Sequence, residues 1–163
     1  MQTFTGYCQS PIGLLKVQAN EAFVTSLSFA DAITEPAHCN EVTNTALTQL
    51  QEYFNGTRTF FDFPMQQPGT PFQLKVWQLL EQIPYGKTIS YRHLALQYGD
   101  LKAIRAVAAA NGKNHMAIVI PCHRVIGSND SLTGYAGGLW RKKWLLEHEA
   151  RFFSGVQQLP FLG

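Results

Sequence analysis

The chain opens with three short runs of β-forming residues, Thr3–Gln9, Leu14–Ala19 and Phe23–Phe29. Ser10-Pro11-Ile12-Gly13 and Asn20-Glu21 separate them, and alternation broken by turn formers predicts a small antiparallel sheet. The pattern then changes to helical spacing. Val42, Ala46, Leu47, Leu50, Tyr53 and Phe54 fall on one face and stop at Asn55-Gly56, ahead of a short aromatic run at Thr59–Phe63. One helix on one sheet makes residues 1–63 a small N-terminal α/β domain.

Pro64-Met65-Gln66-Gln67-Pro68-Gly69-Thr70-Pro71 is the strongest break in the pattern, which predicts a linker over 64–70 and a second domain over 71–163. Thr70 suits an N-cap with Pro71 at the first helical position. Phe72, Val76, Leu79, Leu80 and Ile83 then form an apolar stripe that ends at Pro84-Tyr85-Gly86. A second helix starts behind Ser90 and ends at Tyr98-Gly99; a third runs from Leu101 to Asn111-Gly112. The short turn at Gly99-Asp100 fits a helix-turn-helix or an ordinary αα corner. Ile118-Val119-Ile120 has the pattern of a short buried strand, and after a polar loop at Ser128–Gly138 a last helix starts at Leu139. The fold class expected is α+β, a sheet-and-helix domain followed by a mainly helical, winged-helix-like one.

Composition narrows the function. Of 163 residues, 45% are hydrophobic and only 15% charged, which excludes a disordered chain. No apolar run approaches the roughly 20 residues that cross a bilayer, and no secretory signal pattern opens the chain. Cys8, Cys39 and Cys122 are odd in number and lack CxxC spacing, which suits free thiols and a cytoplasmic, reducing location. Residues 1–70 carry two Lys and Arg against six Asp and Glu, a net of −4. Residues 71–163 carry eleven against five, a net of +6. The asymmetry points to a polyanionic partner for the second half.

Candidate chemistry centres on Pro121-Cys122-His123-Arg124-Val125. A cysteine between proline and histidine after an apolar run is well placed as a rigid nucleophile, and Arg124 and His123 are expected to favour its thiolate. Cys8 and Cys39 read as small buried hydrophobes. Glu147, His148 and Glu149 follow one another on the last helix, where one of the three is expected to face inward and a carboxylate could orient His123. The same relay would serve a cysteine hydrolase. A hydrolase has no need of Arg105, one long cation among Ala103, Ala106, Ala108, Ala109 and Ala110, on a helix face that can approach a groove closely.

These motifs resemble the O6-alkylguanine-DNA alkyltransferases, also called methylated-DNA–protein-cysteine methyltransferases. Besides the pentapeptide, Pro84-Tyr85-Gly86, Ser90-Tyr91, Leu94-Ala95, Ala103-x-Arg105-Ala106-Val107, Asn114, Gly134-Tyr135-x-Gly137-Gly138 and Trp144-Leu145-Leu146-x-His148-Glu149 follow that family's order. The resemblance spans about Pro71 to Arg151. It implies that Cys122 accepts an alkyl group from duplex DNA carrying O6-alkylguanine, in a single turnover with base flipping, and leaves O4-alkylthymine open. His123 would reach the thiol through a water, Glu149 would hold His123, and Asn114 would brace the turn. Tyr91 would touch a phosphate and the flipped guanine, and Arg105 would replace that base in the stack. Val125, Tyr135 and Ala136 would line the guanine pocket, while Gln73, Arg92, Asp100 and Ser128 would meet the DNA backbone. A monomer without cofactor or membrane is implied. His115 stands where the family often has proline, and Cys8, His38 and Cys39 lack the spacing of a zinc site.

Overall fold

The computed structural model describes residues 2–127 and 132–162, with side chains as far as Phe153. It divides into two compact units, Met1–Pro68 with His115–Val119, and Gly69–Asn114 with Ile120–Gly163.

In the first unit β1 (Phe4–Ser10), β2 (Gly13–Ala19) and β3 (Val24–Ala30) form an antiparallel sheet in sequence order, with Tyr7 opposite Lys16 and Val17 opposite Leu27. The first hairpin closes on Gly13, whose φ of 115° favours glycine. Leu15, Val17 and Ala19 alternate into the core, and α1 (Glu41–Phe54) covers that face with Ala46, Leu50 and Tyr53. Asn40 starts α1 in a capping box with Thr43.

Two segments join this unit in ways the periodicity did not indicate. Residues 64–66, read as linker, run along β3: Val24 N donates to Pro64 O and Gln66 N to Val24 O, both at 2.9 Å. Residues 115–119, read as part of the second domain, bridge the same strand through Leu27 N to His115 O at 2.8 Å and Ala117 N to Leu27 O at 3.0 Å. His115 N also donates to Gln67 Oε1 at 2.8 Å, a bond that proline could not make.

The second unit holds α2 (Pro71–Glu81), β4 (Ile89–Ser90), α3 (Tyr91–Tyr98), a 3-10 turn at Leu101–Ala103, and α4 (Ile104–Gly112). After these come a 3-10 turn at Cys122–Arg124, β5 (Val125–Ile126) and α5 (Leu139–Leu162). Thr70 caps α2 with Pro71 at its start. Between α3 and α4 the chain reverses at Gly99, whose φ is 108°. Asp100 Oδ1 then caps the next turn through Lys102 N at 2.9 Å. Trp77 Nε1 on α2 donates to Ala110 O on α4 at 2.9 Å, locking the two helices, and β4 pairs parallel with β5.

The strand expected at Ile118–Ile120 is not one. Ile118 has φ 72°, and Val119 N donates to Ala117 O at 2.7 Å, so the apolar run is buried as a tight turn. Apolar residues in succession report burial, which a turn satisfies as well as a strand does. Among the described residues, no helix is long and apolar enough to cross a membrane.

Candidate active site

Cys122 is presented by constraints on both sides of it. Pro121 has φ −80° and ψ 64°, and Cys122 N donates to Ile120 O at 2.7 Å, an inverse γ-turn that leads into the 3-10 turn. Ile120 O also accepts from Asn114 Nδ2 at 2.8 Å, so Asn114 ties the segment before the cysteine to the end of α4. Beyond the cysteine, Val125 enters β5 and pairs with β4. The backbone around the sulfur is fixed before any substrate arrives.

The thiol does not behave as its sequence neighbours suggest. Burial pushes its pKa up, and the groups that oppose the rise are the Asn114 side chain and the Lys142 ammonium. Arg124, expected with His123 to favour the thiolate, is turned elsewhere. Arg124 Nε donates to Glu149 Oε1 at 2.7 Å, its Nη2 to Glu149 Oε2 at 3.0 Å, and its Nη1 to Ile83 O at 2.7 Å. A guanidinium with a buried carboxylate in reach forms that fork rather than serving a weak sulfur acceptor.

His123 Nε2 lies 2.7 Å from Glu149 Oε2, and both side chains are buried. Burial would raise the Glu149 carboxyl, but the His123 ring and the Arg124 guanidinium outweigh it and hold the group well below the usual carboxylate range. Burial lowers the His123 pKa, and Arg124 and Lys142 add to this against the pull of Glu149. The histidine is therefore neutral at pH 7. Facing a carboxylate, Nε2 carries the proton, which leaves Nδ1 as an acceptor with no hydrogen-bond partner among the described residues. On α5 both His148 and Glu149 are buried and only Glu147 is exposed, not one residue inward of three. His148 is accommodated by stacking on Trp144, 4.7 Å between ring centroids.

A cavity of about 520 Å³ lies in this unit, lined in part by Tyr91, Arg105, Ala108, Asn111 and Tyr135. Cys122 is 8% exposed and meets it through Asn111, whose Nδ2 donates to Cys122 O at 3.5 Å, and through Tyr91 and Tyr135, whose pKa values burial and the nearby sulfur both raise. Tyr91 Oη donates to Thr133 O at 3.3 Å. Arg105 is exposed on the lining with the small Ala108 beside it.

The other predicted residues lie off the lining. Val125 is fully buried, and its carbonyl accepts from Lys142. Ala136 is exposed in a turn closed by Gly138 N to Tyr135 O at 2.9 Å. Gln73 completes the α2 capping box, Asp100 caps the turn before α4, and Arg92 is exposed on the first turn of α3. Ser128 lies outside the described residues. Cys8 is buried with its pKa raised by that burial, while Cys39 is exposed and donates to Thr5 O at 3.6 Å. Among the described residues, no group of three His, Cys, Asp or Glu could hold a metal.

Two residues of the site escaped sequence reasoning. Asn111 entered only as a helix stop, and Lys142 was not singled out from the other cations. Lys142 is fully buried, and its place one turn before Leu145 and two before Glu149, both inward-facing, was the available signal.

Fold and site together define a thiol-centred protein built on a helix-turn-helix. Comparison makes this specific. Residues 71–151 match the DNA binding domain of 6-O-methylguanine DNA methyltransferase, and residues 3–67 match the ribonuclease-like domain of the same enzyme. The methylated-DNA–protein-cysteine methyltransferase of Mycolicibacterium paratuberculosis is 46% identical over 147 residues, 87% of this chain and 89% of that one. The constitutive enzyme of that name from Bacillus subtilis is 45% identical over 139 residues, 79% and 84% of the two chains. The crystal structure of Mycobacterium tuberculosis O6-methylguanine methyltransferase superposes with a TM-score of 0.83 at 41% identity, covering 92% of this chain and 94% of that one. A structure of OGT from the same organism in complex with DNA gives 0.83 at 42%, covering 93% and 94%. The chain belongs to the 6-O-methylguanine DNA methyltransferase family.

Proposed function

We propose that this protein repairs DNA by moving the alkyl group of O6-alkylguanine in a duplex onto Cys122, once per molecule. The observation that carries the reading is His123 beside Cys122 in one turn, its Nε2 held by Glu149 and its Nδ1 unused among the described residues. A buried thiol with a raised pKa needs a base, and Nδ1 is that base, reached through a water. The thiol proton goes to Nδ1, a sulfur lone pair forms the new S–C bond, and the C–O6 bond breaks with its electron pair passing to the purine. The purine takes up a proton to become guanine. The imidazolium so formed lies against an ionised carboxylate, which stabilises it.

The remaining roles follow the family resemblance. Tyr91 contacts phosphate and flipped base, Asn114 braces the cysteine turn, and Arg105 fills the space the base vacates, at an unstacking cost of a few kcal/mol. Val125, Tyr135 and Ala136 contribute backbone to the guanine site; Gln73, Arg92, Asp100 and Ser128 meet the DNA backbone. Residues 71–163, apart from 115–119, form the DNA-binding, reacting domain, and residues 1–63, with 64–68 and 115–119 added to them, a separate domain. The protein acts as a cytoplasmic monomer and needs no cofactor.

The thioether product is a poor leaving group, so the protein is consumed. Titration with excess O6-methylguanine duplex should plateau at one methyl per protein, with about 14 Da added to the peptide containing Cys122. Cys122→Ser should abolish the burst, and Cys8→Ser and Cys39→Ser should preserve it. Product formed well beyond the protein concentration would rule the reading out.

A further inference from the structure

Lys142 has no part in the relay, yet it is the most buried cation among the described residues, with no exposed surface. Its Nζ donates to three backbone carbonyls: Val125 O at 2.6 Å, Thr133 O at 2.6 Å and Gly134 O at 3.3 Å. An ammonium has three N–H groups, and here all three are used. The acceptors belong to two segments, the strand that leaves the cysteine turn and the loop that walls the cavity. Thr133 O also takes the Tyr91 hydroxyl, and Nζ lies 5.7 Å from the centre of the Tyr91 ring. Burying an ammonium is costly, and this inward position of α5 would accept an apolar side chain, as it does one turn later at Leu145.

We propose that Lys142 is a positioning residue for alkyl transfer: its ammonium clamps the carbonyls of Val125, Thr133 and Gly134 together and so sets the shape of the pocket that receives the alkylated base. The proposal rests on the alkyl-transfer reading above. Burial brings the Lys142 pKa down to about 8, against the pull of the Cys122 sulfur. Proton loss near that pH removes the charge and one of the three donors, which loosens the wall. The groups around it are Cys122 and His123 on the 3-10 turn and Tyr91 on α3, with Arg124 and Glu149 behind His123, and Tyr135 on the loop faces the same sulfur. Ionisation of Cys122 alters the rate of attack, whereas release of the clamp alters how well the base is seated. The two are separable.

The test measures single-turnover transfer from O6-methylguanine duplex across pH, resolving half-saturating concentration from limiting rate, for the parent, Lys142→Met and Lys142→Arg. In the parent, half-saturation should rise as pH passes about 8. Lys142→Met should raise it about tenfold at pH 7, as expected for lost charge-assisted hydrogen bonds, and should show no such step. Lys142→Arg keeps its charge and should also lack the step, at a level between the other two. Affinity for unmethylated duplex should change far less than half-saturation does in either variant, a separation that a general loss of structure would not produce. A parent half-saturation flat across that range, which needs no variant to fold, or a Lys142→Met protein matching the parent within twofold at pH 7, would overturn the clamp. Iodoacetamide labelling of Cys122 against pH provides an arm independent of DNA. Normal labelling behaviour in a parent that transfers no methyl would instead bring down the alkyl-transfer reading.

Discussion

Arg124 grips Glu149 through both carboxylate oxygens, and one of those oxygens also faces His123 Nε2 at 2.7 Å. The residue two positions after the cysteine therefore holds the histidine's own partner, a carboxylate on α5. The group that orients the base is itself held in place, and it stays ionised where a lone buried carboxyl would take up a proton.

Arg124→Met leaves the Glu149 charge buried beside His123 without its guanidinium. Breaking one side of a buried ion pair costs about 3–5 kcal/mol, and a loss of that size is expected in urea unfolding at pH 7. A change below about 1 kcal/mol, the scale of an exposed pair, would mean that water reaches the fork.

Glu149 also sets an acid limit. Its folded pKa is depressed below the ~4.3 of an unfolded glutamate, so the unfolded chain binds the extra proton first as pH falls. The stability it contributes is complete above that value and is lost as pH drops through the window beneath it. Glu149→Gln should flatten the acid limb of the stability curve between about pH 5 and 2. An unchanged slope would assign acid unfolding to other carboxylates.

The raised thiol pKa makes the relay testable by pH rescue. His123→Ala should slow methyl transfer by about 10²–10⁴-fold at pH 7, the usual contribution of a general base. The deficit should shrink as pH rises toward the thiol pKa, where Cys122 ionises unaided. A parent-to-variant rate ratio constant from pH 7 to about 9.5 would give His123 a purely structural role.

Arg105 is exposed on the cavity lining and free of a core duty. Arg105→Ala should impair repair of a paired lesion more than repair of a lesion opposite an abasic gap, because only the first requires a stacked, paired base to be expelled. Equal losses on the two substrates would reduce Arg105 to a phosphate contact.

Trp77→Phe keeps most of the ring but removes the donor to Ala110 O, which retains the Lys113 N–H at 3.1 Å, so the loss is that of one buried hydrogen bond, about 0.5–1.5 kcal/mol. Thermal unfolding should register the loss, while methyl transfer per folded molecule at 25 °C should match the parent. A slowed transfer would show that the α2–α4 lock also shapes the site.

Much of this protein was legible in the order of its residues. Three β-rich runs gave three antiparallel strands, Thr70-Pro71 and Gly99 marked helix boundaries where the backbone has them, and the stripe on α1 faces the sheet. These features are local: a cap, a left-handed glycine or an apolar period acts within a few residues, so the sequence carries it directly. The cysteine motif was equally plain, since its residues are contiguous. Tertiary structure decided what depends on partners distant in sequence. Ile118–Ile120 is a turn because the chain before it bridges β3, and Arg124 serves a carboxylate 25 residues away rather than the thiol two residues away. Lys142, one cation among the thirteen Lys and Arg of the chain, became part of the site only when α5 brought it against carbonyls from two other segments. Periodicity reports which side of an element is inside, but not which group it meets there. That is fixed by the packing of whole elements, where the desolvation of each buried charge must be matched by a partner.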